Sequence, residues 1–135
     1  MVTAVSLIGA PTDIGAGARG ASMGPEALRV ANIGPILESH GLDVIDRGNL
    51  VGPANPWQAP VDGYRHLEQV VEWNRTVHEA VHAELQHGRL PILLGGDHCL
   101  GLGSISAKDA ADHFENFKKD YWKKRAMDIL KSRCK

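Results

Sequence analysis

Three short apolar runs punctuate the chain, and each is closed by glycine or proline within a few residues. Residues 2–8 run into Gly9-Ala10-Pro11 and predict a buried strand. Leu42-Asp43-Val44-Ile45-Asp46 predicts a second strand, and Leu90-Pro91-Ile92-Leu93-Leu94 a third that Gly95-Gly96 ends tightly. Between the runs the apolar spacing turns helical. Pro25 suits the first position of a helix through Val30. A second short helix is expected over 35–40, stopped by Gly41. Leu67, Val70, Val71, Val77, Val81 and Leu85 follow the i, i+3, i+4 pattern of one buried face, which predicts a helix over about 63–86 with Asp62 as its cap and Gly88 past its end. Another helix is expected to start near Cys99 or Leu100.

Short apolar strands alternating with helices predict an α/β fold, a parallel sheet within a three-layer α/β/α sandwich. Ligand sites in such sheets lie at the carboxyl ends of the strands. The segments that meet this condition are 9–24, 47–62 and 95–99. The last part reads differently. Over 110–132, Phe114, Phe117, Tyr121, Ile129 and Leu130 gather on one side of a lysine-rich stretch, which predicts a C-terminal amphipathic helix.

Composition sharpens that break. Residues 1–107 hold 6 Arg, no Lys and 11 acidic residues, whereas residues 108–135 hold 7 Lys, 2 Arg and 5 acidic residues. The first stretch therefore carries a net charge of −5 and the second +4. The chain is read as two parts, an α/β unit over 1–107 and a Lys-rich helical tail over 108–135. The overall charge of −1, with acids interleaved among the tail lysines, speaks against a nucleic-acid partner. No apolar run approaches the length of a membrane span, and residues 1–8 lack a secretory signal, so no membrane role and a cytoplasmic location are expected. Cys99 and Cys134 are read as two free thiols.

Candidate chemistry centres on Asp97-His98. A histidine just past a buried strand can offer a ring nitrogen to a metal or act as a base, and Gly95 and Gly96 leave room beside it. The plain alternative is a tight turn whose histidine bonds a neighbour. A second signal is His78-Glu79-Ala80-Val81-His82, which fits the His-Glu-x-x-His pattern of zinc hydrolases. Its place mid-helix, flanking the buried Val77 and Val81, favours a solvated helix face instead. Gly15-Ala16-Gly17-Ala18-Arg19-Gly20-Ala21 lacks the endings and spacings of a phosphate cradle and is read as a pocket rim. Within it Arg19 is expected to make a structural salt bridge, with recognition of an acidic substrate as the alternative.

Taken together, Gly9-Ala10-Pro11-Thr12-Asp13, Arg19-Gly20, Gly24-Pro25-Glu26-Ala27-Leu28-Arg29, Asp46-Arg47-Gly48 and Leu94-Gly95-Gly96-Asp97-His98 resemble the ureohydrolases, and within them the arginases, over residues 4 to about 107. The resemblance implies hydrolysis of a small guanidino substrate, arginine to ornithine and urea in arginases, by a hydroxide that two manganese ions share. It implies that His98 is the first metal ligand and that Asp13, Arg19, Gly95, Gly96 and Asp97 shape the pocket loops. The family's further ligands come from Asp-Ala-His-x-Asp and Asp-x-Asp segments, and neither occurs in this sequence. Asp109, Asp112 and His113 match those segments in neither order nor spacing, and Cys99 stands where the family commonly has serine. The expectation is thus an N-terminal arginase fragment that is inactive alone. The alternatives are a non-catalytic, self-associating interaction module that uses the tail helix, and a zinc hydrolase at His78 and His82.

Overall fold

The computed structural model describes residues 3–112, with side chains through Lys108. Three parallel strands form one sheet in the order β2-β1-β3, with β1 at Ala4–Ala10, β2 at Asp43–Asn49 and β3 at Leu90–Gly95. Leu7 of β1 is registered with Asp46 on one side and Ile92 on the other. Helices α1 (Gly24–Val30) and α2 (Ile33–Ser39) connect β1 to β2. Helix α3 (Leu67–Gln86) connects β2 to β3, and α4 (Gly101–Asp112) follows β3. One-turn 3-10 helices precede α1 at Ala21–Met23 and α4 at His98–Leu100.

The continuous apolar character of β1 follows from its central position. Val5 and Leu7 pack on one face with Leu94, Ile33 and Leu37. Ile8 and Ala10 pack on the other with Val70, Trp73, Val77 and Val81 of α3 and with Leu100 and Ala107. A strand covered by helices on both faces has no solvent side to reserve for polar residues. The expected α/β parallel architecture is thereby realised. The tail helix expected over 110–132 lies almost wholly outside the described residues, and α4 runs through position 107 without interruption.

Two local expectations need correction. Strand β2 continues to Asn49 rather than ending at Asp46, because a bulge where Leu7 pairs Asp46 and Gly9 pairs Asn49 lets it resume, with Gly48 at φ 74°. Helix α3 starts at Leu67 rather than near 63, and Asp62 does not cap it. Asp62 and Gly63 both have positive φ, 51° and 81°, and sit between Val61 and Tyr64, whose backbones exchange two 2.9 Å hydrogen bonds. That is the mirror-image two-residue turn for which Asp-Gly is a favoured pair. Turn chemistry outcompeted capping, and His66, itself at φ 48°, precedes the helix instead.

At the amino ends of the strands a buried polar network joins the layers. Ser6 Oγ donates to Glu84 of α3 at 2.5 Å, and Arg47 of β2 donates to both Glu84 oxygens at 2.8 and 3.2 Å. Arg89 reaches Ser6 Oγ, the Val5 carbonyl and Asp43 at 2.8–3.0 Å. The opposite, carboxyl end is left to the loops. The segment leaving β1 passes to α1 on one face, while the segment leaving β3 passes to α4 on the other. The carboxyl ends of β1 and β3 therefore flank a topological switch point, where an open α/β sheet naturally forms a crevice.

Candidate functional site

The glycine pair after β3 closes against the end of β1. Gly96 N–H donates to the Ala10 carbonyl at 3.3 Å and Asp97 N–H to the Thr12 carbonyl at 3.1 Å. A Cβ on Gly96 would lie 2.6 Å from both of those carbonyl oxygens, so only glycine fits. Asp97 has extended backbone, and its carboxylate then bonds on both sides. Oδ1 accepts from Cys99 N–H at 2.8 Å, capping the one-turn helix, and Oδ2 accepts from Gly15 N–H at 2.7 Å. Both oxygens thus hold backbone in place. His98, the first residue of that turn, is exposed at the carboxyl end of β3. Cys99 packs beside the core, where burial first and then the Asp97 carboxylate push its thiol well above the ordinary range. It remains a thiol at neutral pH and is no nucleophile.

The loop after β1 is organised by Asp13, which is buried. Its carboxylate accepts from Gly20 N–H at 3.3 Å and Ser22 Oγ at 3.2 Å. The loop after β2 is stitched to it: Asn55 Nδ2 donates to the Asp13 carbonyl at 2.8 Å, and the buried His66 bonds the Ile14 carbonyl through Nδ1 at 2.9 Å. Gln58 N–H donates to His66 Nε2 at 3.1 Å. The Gln58 carbonyl also lies 3.2 Å from His66 Nε2, so both ring nitrogens bridge the two loops. Among the described residues Arg19 has no carboxylate partner of the kind expected of it. Its guanidinium lies over the Trp57 ring, 5.2 Å from the centroid, in a cation–π contact. The structure therefore brings Asp13, Arg19, Gly95, Gly96, Asp97 and His98 to one end of the sheet. It adds Asn55, Trp57 and His66, which no local spacing marks out.

Much of the remaining motif set is a clamp between α1 and β2. Arg29 donates to Asp46 through Nε at 2.7 Å and Nη2 at 2.9 Å, and to Glu26 and Asn49 through Nη1 at 2.7 and 2.6 Å. The Arg29 hydrogen bond is the main reason that the Asp46 carboxyl titrates below its usual range. Gly24, at the start of α1, packs instead against the end of β3, since a Cβ there would lie 2.1 Å from the Gly95 carbonyl oxygen.

His78 and His82 lie elsewhere, in the half of α3 that descends toward Glu84 and the amino ends of the strands. Their rings stack 5.8 Å apart with planes within 6°, and Glu79 between them is exposed. Burial first, and His82 second, lower the His78 pKa to about 4. The unfolded chain takes up this proton near 6.5, so stability should be level above that pH and fall as pH drops from 6.5 toward 4. Because the ring is only half-buried, solvent screening limits the loss to about 1 kcal/mol. His78→Gln is expected to flatten the slope of unfolding free energy between those pH values, measured by urea titration at a series of pH values.

Among the described residues, no three His, Cys, Asp or Glu side chains gather into a group that could hold a metal ion. A pair of divalent cations needs several anionic or imidazole ligands. His98 is one neutral donor and Asp97 is committed to backbone N–H groups, so the described residues do not fit a two-manganese centre.

A family model described as the Arginase family matches residues 3–118. The arginase of Brevibacillus brevis is 36% identical over 112 residues, covering 83% of this chain and 37% of that protein. The arginase of Bacillus caldovelox is 37% identical over 113 residues, covering 82% and 37%. Its native structure at pH 5.6 superposes with a TM-score of 0.70 at 36% identity, over 78% of this chain and 36% of that one. Entamoeba histolytica arginase in complex with L-ornithine gives a TM-score of 0.71 at 27% identity, over 82% and 37%. This chain spans a little over a third of the length of the curated relatives it matches.

Proposed function

From the premise that this chain belongs to the arginase family, we propose that it supplies the first metal-ligand position, His98, and the pocket loops of a manganese-dependent hydrolase acting on a small guanidino substrate. By itself it holds no manganese pair and does not turn arginine over. The observation that carries the reading is the built turn at the switch point: Asp97 spends its carboxylate on Gly15 and Cys99, and an exposed histidine stands just past the carboxyl end of β3. Asp13 shapes the loop beside it, Gly95 ends β3 at the turn, and Gly96 allows the close approach of that turn to the Ala10 and Thr12 backbone. Arg19 on Trp57 forms a cationic rim suited to an anionic substrate group.

No catalytic step is assigned, because the described residues leave a manganese pair short of ligands. The proposal extends to a cytoplasmic location, in keeping with the free thiol at Cys99, while no described helix is long and apolar enough to cross a membrane. It keeps residues 108–135 as a Lys-rich part distinct from the α/β unit. A second reading, a self-associating interaction module, is favoured by the outer strands. Within the described sheet β2 and β3 each pair on one side only, and open edges invite association.

Elemental analysis of the purified chain equilibrated with Mn(II), with urea release from arginine and the solution mass measured on the same sample, tests both readings. The expected outcome is far less than one manganese per chain and no urea above the uncatalysed background. Two equivalents of manganese with arginase-like turnover would overturn the primary reading, and a strictly monomeric mass would overturn the second.

A further inference from the structure

The histidine pair on α3 takes no part in the carboxyl-end loops. His78 and His82 stand one turn apart on the same helix face, half-buried, with their rings stacked 5.8 Å apart and nearly parallel. Residues four apart on a helix hold their Cβ atoms about 5–6 Å from each other, so two such imidazoles can turn their nitrogens toward a common point by side-chain rotation alone. A metal bound by both would lie about 2.0–2.1 Å from each nitrogen, which brings the donors to roughly 3 Å apart. The 20-residue helix is anchored through Val70, Trp73, Val77 and Val81, so its backbone is already fixed for such a chelate. Imidazole pairs suit Ni(II), Cu(II) and Zn(II), whereas Mn(II) prefers oxygen donors.

We propose that His78 and His82 form a two-histidine binding site for a borderline divalent transition-metal ion such as Ni(II) or Zn(II). The site binds and does not catalyse. Glu79 lies one residue from His78, about 100° around the helix, and is exposed. Water would fill the remaining coordination positions, and a metal on His82 Nε2 would displace the Gln86 amide nitrogen that lies 3.4 Å from it. Binding would tie one turn of α3 to the next and stabilise the folded chain in proportion to metal concentration.

Calorimetric titration of the full chain with Ni(II), paired with thermal unfolding at the same metal concentrations, tests this. One saturable equivalent and a metal-dependent rise in Tm are expected. His78→Gln and His82→Gln, which keep volume and helix propensity, should each weaken binding at least about tenfold, with circular dichroism confirming that the variants fold. His98→Ala should leave it within about twofold, which separates this site from the His98 reading. Binding that survives both α3 variants, binding lost with His98→Ala, or no saturable binding by the parent chain would each overturn the proposal.

Discussion

Gly96→Ala is expected to destabilise the fold by about 3 kcal/mol, whereas Gly95→Ala, one residue earlier, should change stability by less than about 1 kcal/mol. The two glycines look equivalent in sequence. In the structure a Cβ on Gly96 would press to 2.6 Å against the carbonyl oxygens of Ala10 and Thr12, which are backbone and cannot swing away. Relief would require β1 and the β3 turn to separate. That would cost the bonds from Gly96 N–H to Ala10 and from Asp97 N–H to Thr12, and would draw Asp97 away from Gly15. A Cβ on Gly95 meets nothing within 4 Å, and its backbone is not left-handed. Urea denaturation of both variants decides the matter through the shift in midpoint at unchanged slope. Equal midpoints for the two would mean that the turn is not packed against β1 as described.

The same contrast explains what could be read in advance. The three strands were legible because each apolar run is local and closed by its own glycine or proline, as at Gly9-Ala10-Pro11 and Gly95-Gly96. Helix α3 was legible in its body, where Val70, Val77 and Val81 repeat, and illegible at its start, where Asp62 belongs to an Asp-Gly turn. At the site, the Asp97-His98 turn was visible as polar residues directly after a buried run. The residues that hold the neighbouring loops were not. Asn55 bonds Asp13 across 42 positions and His66 bonds Ile14 across 52, and nothing near either in sequence announces the partner. The contact that Arg19 makes was hidden for the same reason. This arginine was expected to find a carboxylate and instead found the face of Trp57, on a different loop. Several motif residues that carry the family resemblance, Glu26, Arg29 and Asp46 among them, prove to hold α1 against β2.

Glu84→Ala is expected to cost about 3 kcal/mol at pH 7, and the cost should shrink as the solution is acidified. Glu84 is 6% exposed and is the acceptor on which Ser6 and Arg47 converge. Burial alone would raise its pKa, but hydrogen bonds from Ser6 and Arg47 outweigh that and hold it below the ordinary 4.5. A carboxylate whose folded pKa is depressed contributes its stabilisation above the unfolded pKa and loses it as pH falls through the folded value. The gap in unfolding free energy between parent and variant should therefore be constant from neutral pH down to about 5 and narrow below 4.5. Removing the acceptor also leaves the buried Ser6 hydroxyl with only Arg89 as partner, a donor rather than an acceptor. Glu84→Gln keeps an acceptor for Ser6 but loses the charge that Arg47 faces, so its stability at pH 7 should fall between those of the parent and Glu84→Ala, and its smaller gap from the parent should also narrow at low pH. A gap that is independent of pH from 7 to 3 would show that Ser6 and the packing of α3, not the ionised carboxylate, carry the effect.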